Sequence, residues 1–186
     1  GNFYIHASGG ASSVNEISVH DGGTFGFASL YDGASASTTL SVDGGTLAND
    51  SSGTSAFNWI RETVSSFSVG DGGVTFSGAP ESTVVAQIRK AMQAASGSSG
   101  TAAGVTFDGG AWGYYVAGNA YNGPTTLKNQ SKLFLYADGT IPSGSVVTIK
   151  AGSILSNGGA AKTVSSLVLE DDAILGFGSS ANALTV

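Results

Sequence analysis

Two alternating apolar residues, a turn of Asp, Gly or similar residues, and another apolar residue seven places after the first recur along the chain. The pattern starts at Leu40, Phe67, Val105, Val147 and Leu167, with seventh-place partners Leu47, Val74, Trp112, Ile154 and Ile174. Ile17 with Phe25 fits with one residue more, and Leu127 with Phe134 fits with a polar Asn129 at the second apolar position. Alternation at period two marks a half-buried strand, so each copy reads as strand, tight turn, strand. The interval between successive starts is widest from Phe67 to Val105 and settles near twenty from Val105 onward. A repeat of that length that holds only strands and turns predicts coils stacked as parallel strands. The expected fold is all-β: a right-handed parallel β-helix, or solenoid, of about seven coils.

One coil cannot bury its own apolar face and must place it against the coils above and below. Ile17, Val19, Leu40, Val42, Phe67, Val69, Val105, Phe107, Val147, Ile149, Leu167 and Leu169 are the predicted inward positions, stacked in ladders. Seven rungs at ~4.8 Å would make a stack of roughly 34 Å.

Residues 79 to 95 depart from this texture. Pro80 and Glu81 suit a helix's first turn, and Val84, Ile88, Ala91, Met92 and Ala95 recur at three- and four-residue steps. The spacing predicts an amphipathic helix over 80–95, inserted laterally within a 77–104 excursion between coils. The competing reading is a strand from Thr83 to Gln87 followed by a loop. The whole chain, 1–186, reads as one domain. It opens on Gly1-Asn2-Phe3 and ends on Ala183-Leu184-Thr185-Val186, which reads as the first strand of another coil, so a piece of a longer solenoid is expected.

Composition narrows the partners. Of 186 residues 41% are hydrophobic and only 11% charged, which argues against disorder, and 29 Gly suit a chain that turns sharply several times per coil. The net charge of -6 with seven scattered Lys and Arg makes nucleic acid and anionic membranes poor partners. Cys is absent, which removes disulfides and thiolate metal sites. No apolar run approaches the ~18 residues of a membrane-spanning helix.

The run Val116-Ala117-Gly118-Asn119-Ala120-Tyr121-Asn122-Gly123-Pro124-Thr125-Thr126-Leu127 resembles the signature of the autotransporter-associated β-strand repeat, Gly-Asn-x-Tyr-x-Gly-x-Thr-Thr. Leu133-Phe134-Leu135, Asp138-Gly139-Thr140-Ile141-Pro142-Ser143-Gly144-Ser145 and the upstream Val69-Gly70-Asp71-Gly72-Gly73-Val74-Thr75-Phe76 are similar to segments of the same family, over roughly residues 67 to 186. The resemblance implies a β-helical passenger segment of a secreted or bacterial cell-surface protein, and carries no catalytic motif. Read from the residues, Gly118 and Gly123 allow positive φ, Asn119 and Asn122 suit turns, and Tyr121 supplies apolar area beside a wet hydroxyl.

Four candidate chemistries follow. Asp21, Asp43, Asp71 and Asp108 each precede two glycines, and stacked coils could gather their carboxylates into a column for Ca²⁺, although Asp-Gly is also ordinary turn chemistry. Polysaccharide cleavage would need two of these carboxyls to converge, and no Lys or Arg neighbours the Asp-Gly-Gly turns in sequence. His6 and His20 are the only histidines and lie near no recognisable catalytic motif. Exposed aromatic rings on a flat sheet can stack on sugars, and Trp59, Tyr115, Tyr121 and Tyr136 are the candidates, whereas Trp112 and Tyr114 fall on core positions. The expectation is a non-enzymatic adhesin or extracellular scaffold without a cofactor. Its partner would be a glycan or host protein, with end-to-end self-association through an open coil end. A carbohydrate-binding module is the alternative, and a polysaccharide-degrading enzyme a third.

Overall fold

The computed structural model describes residues 13–32, 36–51, 56–99, 103–137, 140–158, 162–178 and 184–186. His6, Asp138 and Gly139 lie outside the described residues. The strands wind in successive coils. The first holds β1 (Ser13–His20) and β2 (Thr24–Phe27), and the second β3 (Ala36–Asp43), β4 (Gly45–Asn49) and β5 (Phe57–Ile60). The third holds β6 (Ser66–Val69), β7 (Val74–Ser77) and β8 (Val85–Ile88), and the fourth β9 (Gln93–Ala94), β10 (Val105–Asp108) and β11 (Ala111–Tyr114). The fifth and sixth hold β12 (Thr125–Lys128), β13 (Lys132–Leu135), β14 (Val146–Ile149) and β15 (Ile154–Asn157). The seventh holds β16 (Lys162–Thr163), β17 (Ser166–Leu169) and β18 (Ile174–Phe177), and β19 (Leu184–Thr185) pairs above it.

Each strand pairs in parallel with its counterpart one coil away. Sheet one runs β1-β3-β6-β9, sheet two β2-β4-β7-β10-β12-β14-β17, and sheet three β5-β8-β11-β13-β15-β18. The molecule is therefore the expected all-β parallel solenoid of about seven turns. Along sheet two Thr24, Thr46, Thr75, Thr106, Thr126, Thr148 and Val168 stand in register, one from each coil. This outward row is β-branched throughout, as suits the pleated surface of a sheet.

The inward positions form ladders, but in two groups. Ile17, Leu40 and Phe67 stack in sheet one with Val19, Val42 and Val69 beside them. Phe107, Ile149 and Leu169 belong to sheet two, where Phe107 stands over Phe76. The strand-turn-strand motif thus turns the corner between sheets one and two in the early coils and between sheets two and three in the later ones. The wide interval from Phe67 to Val105 is this change of corner. Val105 stacks on Val74, its counterpart in the coil before. Three seventh-place partners are also displaced: Phe134, Ile154 and Ile174 face outward, and Leu133, Leu155 and Leu175 take the core places. Leu127 likewise fills the second place of its strand, because Thr125 pairs with Val105.

The helix expected over 80–95 does not form, and no helix occurs among the described residues. Pro80 and Glu81 lie in a turn closed by the Ser82 amide donating to the Ala79 carbonyl at 3.0 Å. β8 and β9 then supply sheets three and one, so the 77–104 segment completes a coil. Strand β8 overlaps the competing reading of 83–87. The three- and four-residue steps have another cause: Ile88 ends a strand and Met92 follows the next corner, and both point into the core, fully buried. Pairing of β8 with β5 on one side and β11 on the other outweighs the local helical pattern.

The core is aromatic where the coils are longest. Trp59 stacks on Phe27 with ring centres 4.5 Å apart and lies 5.1 Å from Trp112, while Phe76 stacks on Phe107 at 5.2 Å. Both indoles are fully buried and satisfied, Trp59 donating to the Phe27 carbonyl at 2.9 Å and Trp112 to the Gly109 carbonyl at 2.7 Å.

Candidate functional site: an aromatic column outside sheet three

The residue that follows each sheet-three strand leaves the core and lies beside its counterpart in the next coil. A chain of backbone hydrogen bonds fixes the column. The Arg61 amide donates to the Leu30 carbonyl, Arg89 to Ile60, Tyr115 to Ile88, Tyr136 to Tyr114, Gly158 to Leu135 and Gly178 to Asn157, all at 2.8 to 3.1 Å. The column reads Tyr31, Arg61, Arg89, Tyr115, Tyr136, Gly158, Gly178. Three neighbouring pairs meet face to face. The Arg61 guanidinium lies 4.4 Å from the Tyr31 ring centre and that of Arg89 4.8 Å from Tyr115, within cation–π range. Tyr115 and Tyr136 stack at 4.3 Å with planes 21° apart.

Neighbouring side chains hold the column down. Arg89 donates through Nε and Nη2 to the Gln87 Oε1 at 3.0 and 2.8 Å, which orients its guanidinium under Tyr115. Phe134 packs 6.3 Å from Tyr136 with planes 26° apart. Gly113 lies beneath the rings, where a Cβ would sit 2.8 Å from Tyr115 Cε2 and 3.3 Å from Tyr136 Cε2, so only glycine lets both rings lie this low. Burial, with the Tyr136 hydroxyl next in importance, raises the Tyr115 phenol above its ordinary value, and Arg89 opposes this more weakly. The Tyr115 phenol therefore acts as a neutral hydrogen-bonding group near neutrality. Tyr136, at the end of the stack, is 42% exposed.

Of the four aromatic candidates, the structure brings together Tyr115 and Tyr136 and removes the other two. Trp59 is fully buried between Phe27 and Trp112, and Tyr121 is 2% exposed, so neither presents an open ring face for stacking on a sugar. The Tyr121 hydroxyl is not wet, because it shares a 2.6 Å hydrogen bond with Thr125, whose hydroxyl in turn meets Ser145 at 3.0 Å. Burial pushes Tyr121 and Tyr114 well above the ordinary tyrosine value, the Thr125 bond acting in the opposite sense on Tyr121. A raised phenol favours the folded protein below the unfolded value of ~10, and that contribution is lost as pH rises through the folded values. Asn119 works as a cross-tie between coils rather than as a turn residue. Its Oδ1 accepts the Met92 amide at 2.7 Å and its Nδ2 donates to the Thr140 carbonyl at 2.6 Å, in a buried setting. The Gly-Asn-x-Tyr residues of this chain thus serve coil stacking.

The four aspartates do not form one column. Asp21 lies over Gly44, and Asp43 stands in register with His20 and reaches the next coil, where its Oδ1 accepts the Gly72 amide at 2.6 Å. The Asp71 Oδ1 accepts the Ser98 hydroxyl at 2.7 Å. Asp108 sits at the other corner, bound by Lys128 at 3.0 Å and by the Asn129 amide at 2.6 Å. Burial acts to raise the Asp108 carboxyl, but these two partners together hold it below its ordinary value. Among the described residues no three His, Cys, Asp or Glu side chains gather where a metal ion could sit.

Arg89, Gln87, Phe134, Tyr31 and Arg61 were not among the sequence candidates. Their signal was available, because each column member from Arg61 onward directly follows the last residue of a sheet-three strand, but it needs the strand ends first.

Fold and site together define a parallel β-solenoid that carries a ladder of aromatic and guanidinium groups along one outer edge. Comparison with family models, curated proteins and solved structures finds no match to the chain. Among the described residues no helix is long and apolar enough to cross a membrane, which says nothing of strands that do so.

Proposed function

We propose that this chain is a non-enzymatic scaffold, an adhesive segment of a secreted or bacterial cell-surface protein. The solenoid is consistent with a surface or scaffold role, and the resemblance of 116–127 to autotransporter-associated repeats supports the location. The observation that carries the non-enzymatic reading is what four of the thirteen acidic residues do. Asp43, Asp71, Asp108 and Glu170 are each tied to a neighbouring coil, through Gly72, Ser98, Lys128 and Lys150. Carboxyls spent on coil-to-coil ties are poor acids and bases for a bound substrate. The stacked coils act instead as a stiff support that holds outer side chains at fixed spacing. The apolar last coil would take a second copy end to end.

The test couples adhesion to turnover. Beads coated with the folded protein should be retained on mucin-coated surfaces, and the protein should release no reducing ends or unsaturated uronates from a polysaccharide panel. Retention no better than that of beads carrying denatured protein overturns the adhesive reading, and turnover of any polysaccharide overturns the non-enzymatic one.

A second reading, carbohydrate binding, is favoured by the stacked and partly exposed pair of Tyr115 and Tyr136. Sugar rings present apolar C–H faces to such rings and hydroxyls to the polar rim.

A further inference from the structure

The ladder on sheet three stops at Tyr136, and the next two positions of the column are Gly158 and Gly178. One face of the Tyr136 ring rests on Tyr115, and the other turns toward these side-chain-free rungs. The adjacent outward column is also stripped there, since Phe134 is followed by Ser156 and then Gly176. The result is a floor of Gly158, Gly176 and Gly178 with an aromatic wall at one end and the Ser156 side chain on the floor beside it.

The fold does not demand Gly158 or Gly176. Among the described residues, the nearest atoms to a Cβ on Gly158 would be the Leu135 carbonyl oxygen at 3.7 Å and the Tyr136 ring at 3.8 and 3.9 Å. One on Gly176 would meet nothing nearer than the Ser156 Oγ at 3.7 Å. These are ordinary contacts, and neither glycine has positive φ. At Gly123 the contrast is plain, since a Cβ there would press into the backbone of Gly104 and Ala103. Room for a side chain, left unused in two adjacent columns beside an exposed ring, keeps the Tyr136 face clear.

We propose that the outer face of Tyr136, with Gly158, Gly176, Gly178 and Ser156, is a subsite for one pyranose ring of a neutral glycan. The proposal rests on the carbohydrate-binding reading above and assigns its place and ligand class. The ring takes the position that the next rung's side chain would occupy, at the ~4.8 Å spacing of the coils, with its C–H face on Tyr136. Two vacant rungs, about 9.6 Å, leave space for the ring and the start of the next sugar. The Ser156 and Tyr136 hydroxyls meet the ring's hydroxyl edge. A neutral sugar fits better than an acidic one, because the net charge is -6 and the nearest guanidinium of the column, Arg89, is stacked on Tyr115 and bound to Gln87.

The experiment is a titration of the full chain with cellohexaose, maltohexaose, chitohexaose and mannohexaose, followed by saturation-transfer NMR, with polygalacturonate as the acidic comparison. At least one neutral hexaose should bind, and Tyr136→Ala should weaken it by about tenfold or more. Gly158→Trp should do the same by filling the slot while the β-rich circular dichroism is kept, and Tyr31→Ala at the far end of the column should leave binding unchanged. Binding that survives both Tyr136→Ala and Gly158→Trp overturns this subsite while leaving the carbohydrate reading standing. Absence of binding by all four neutral hexaoses overturns both, and preference for polygalacturonate overturns the neutral-glycan assignment.

Discussion

Asn119 shows what one buried polar side chain does in a fold with few helical or antiparallel supports. Among the described residues, sheet one loses its regular strands after β9 and continues through the Gln93–Ala120 bridge. Asn119 replaces the missing ladder by bonding Met92 in the coil before and Thr140 in the coil after. Asn119→Ala should cost about 2 to 5 kcal/mol, since it strands a buried amide and a buried carbonyl at once. Asn122→Ala, at an exposed side chain with only a long 3.4 Å contact to the Ser98 carbonyl, should cost less than about 1 kcal/mol. Urea unfolding of both variants measures this, and equal midpoints would remove the cross-tie from the account. The sequence marked Asn119 as notable through the repeat signature but not as buried, because Asn serves turns and buried ties with the same chemistry. Tyr121 was misplaced for a related reason. A phenol suits both a wet rim and a core with a partner, and the partner, Thr125, shows only once the coil closes.

At the scale of elements, strands were legible and their assignment to faces was not. Alternation located β3, β6, β10, β14 and β17 well, since each turns one face to the core and the other outward. The corners carry nearly the same residues, Asp71-Gly72-Gly73 between sheets one and two and Asp108-Gly109-Gly110 between two and three, so the motif cannot say which corner it turns. That ambiguity hid the shift between Phe67 and Val105 and turned β8 and β9 into an apparent insertion. The column beside sheet three was invisible for the same reason, although Tyr115 and Tyr136 could be singled out individually. Strand and helix readings of 80–95 differ in a measurable way. Ile88→Ala should cost about 2 to 5 kcal/mol, because the side chain is fully buried between Phe57–Ile60 and Ala111–Tyr114. Lys90→Ala, half-buried at the corner, should stay within about 0.5 kcal/mol. Far-UV circular dichroism should show no helical component from this segment. A helical signal, or an Ile88→Ala cost no larger than that of Lys90→Ala, would reject the strand.

For the whole molecule the controlling fact is that each coil is covered by the next. Ile149 in the sixth coil is fully buried, whereas Leu169, its partner in the seventh, is 50% exposed, and Phe177 is 55% exposed above the buried Asn157. Among the described residues β17 and β18 are the edge strands of sheets two and three, and an edge strand favours pairing with another chain. Opposing this is charge, since each copy carries -6 and Glu170, Asp171 and Asp172 stand together at the last corner. Apolar coverage is insensitive to moderate salt while repulsion between exposed carboxylates is screened within about 10 Å at 0.1 M. Self-association should therefore rise with protein concentration and strengthen as salt is added, a sign opposite to that of contacts held by ion pairs. Sedimentation velocity over a concentration series at low and high salt reads this directly. Phe177→Lys with Leu169→Lys should return the protein to monomer at every salt, since both side chains leave the apolar end without disturbing the buried coils beneath. A wild-type chain that stays monomeric at high concentration and high salt would mean that the exposed end is tolerated as it stands, and end-to-end assembly would be rejected.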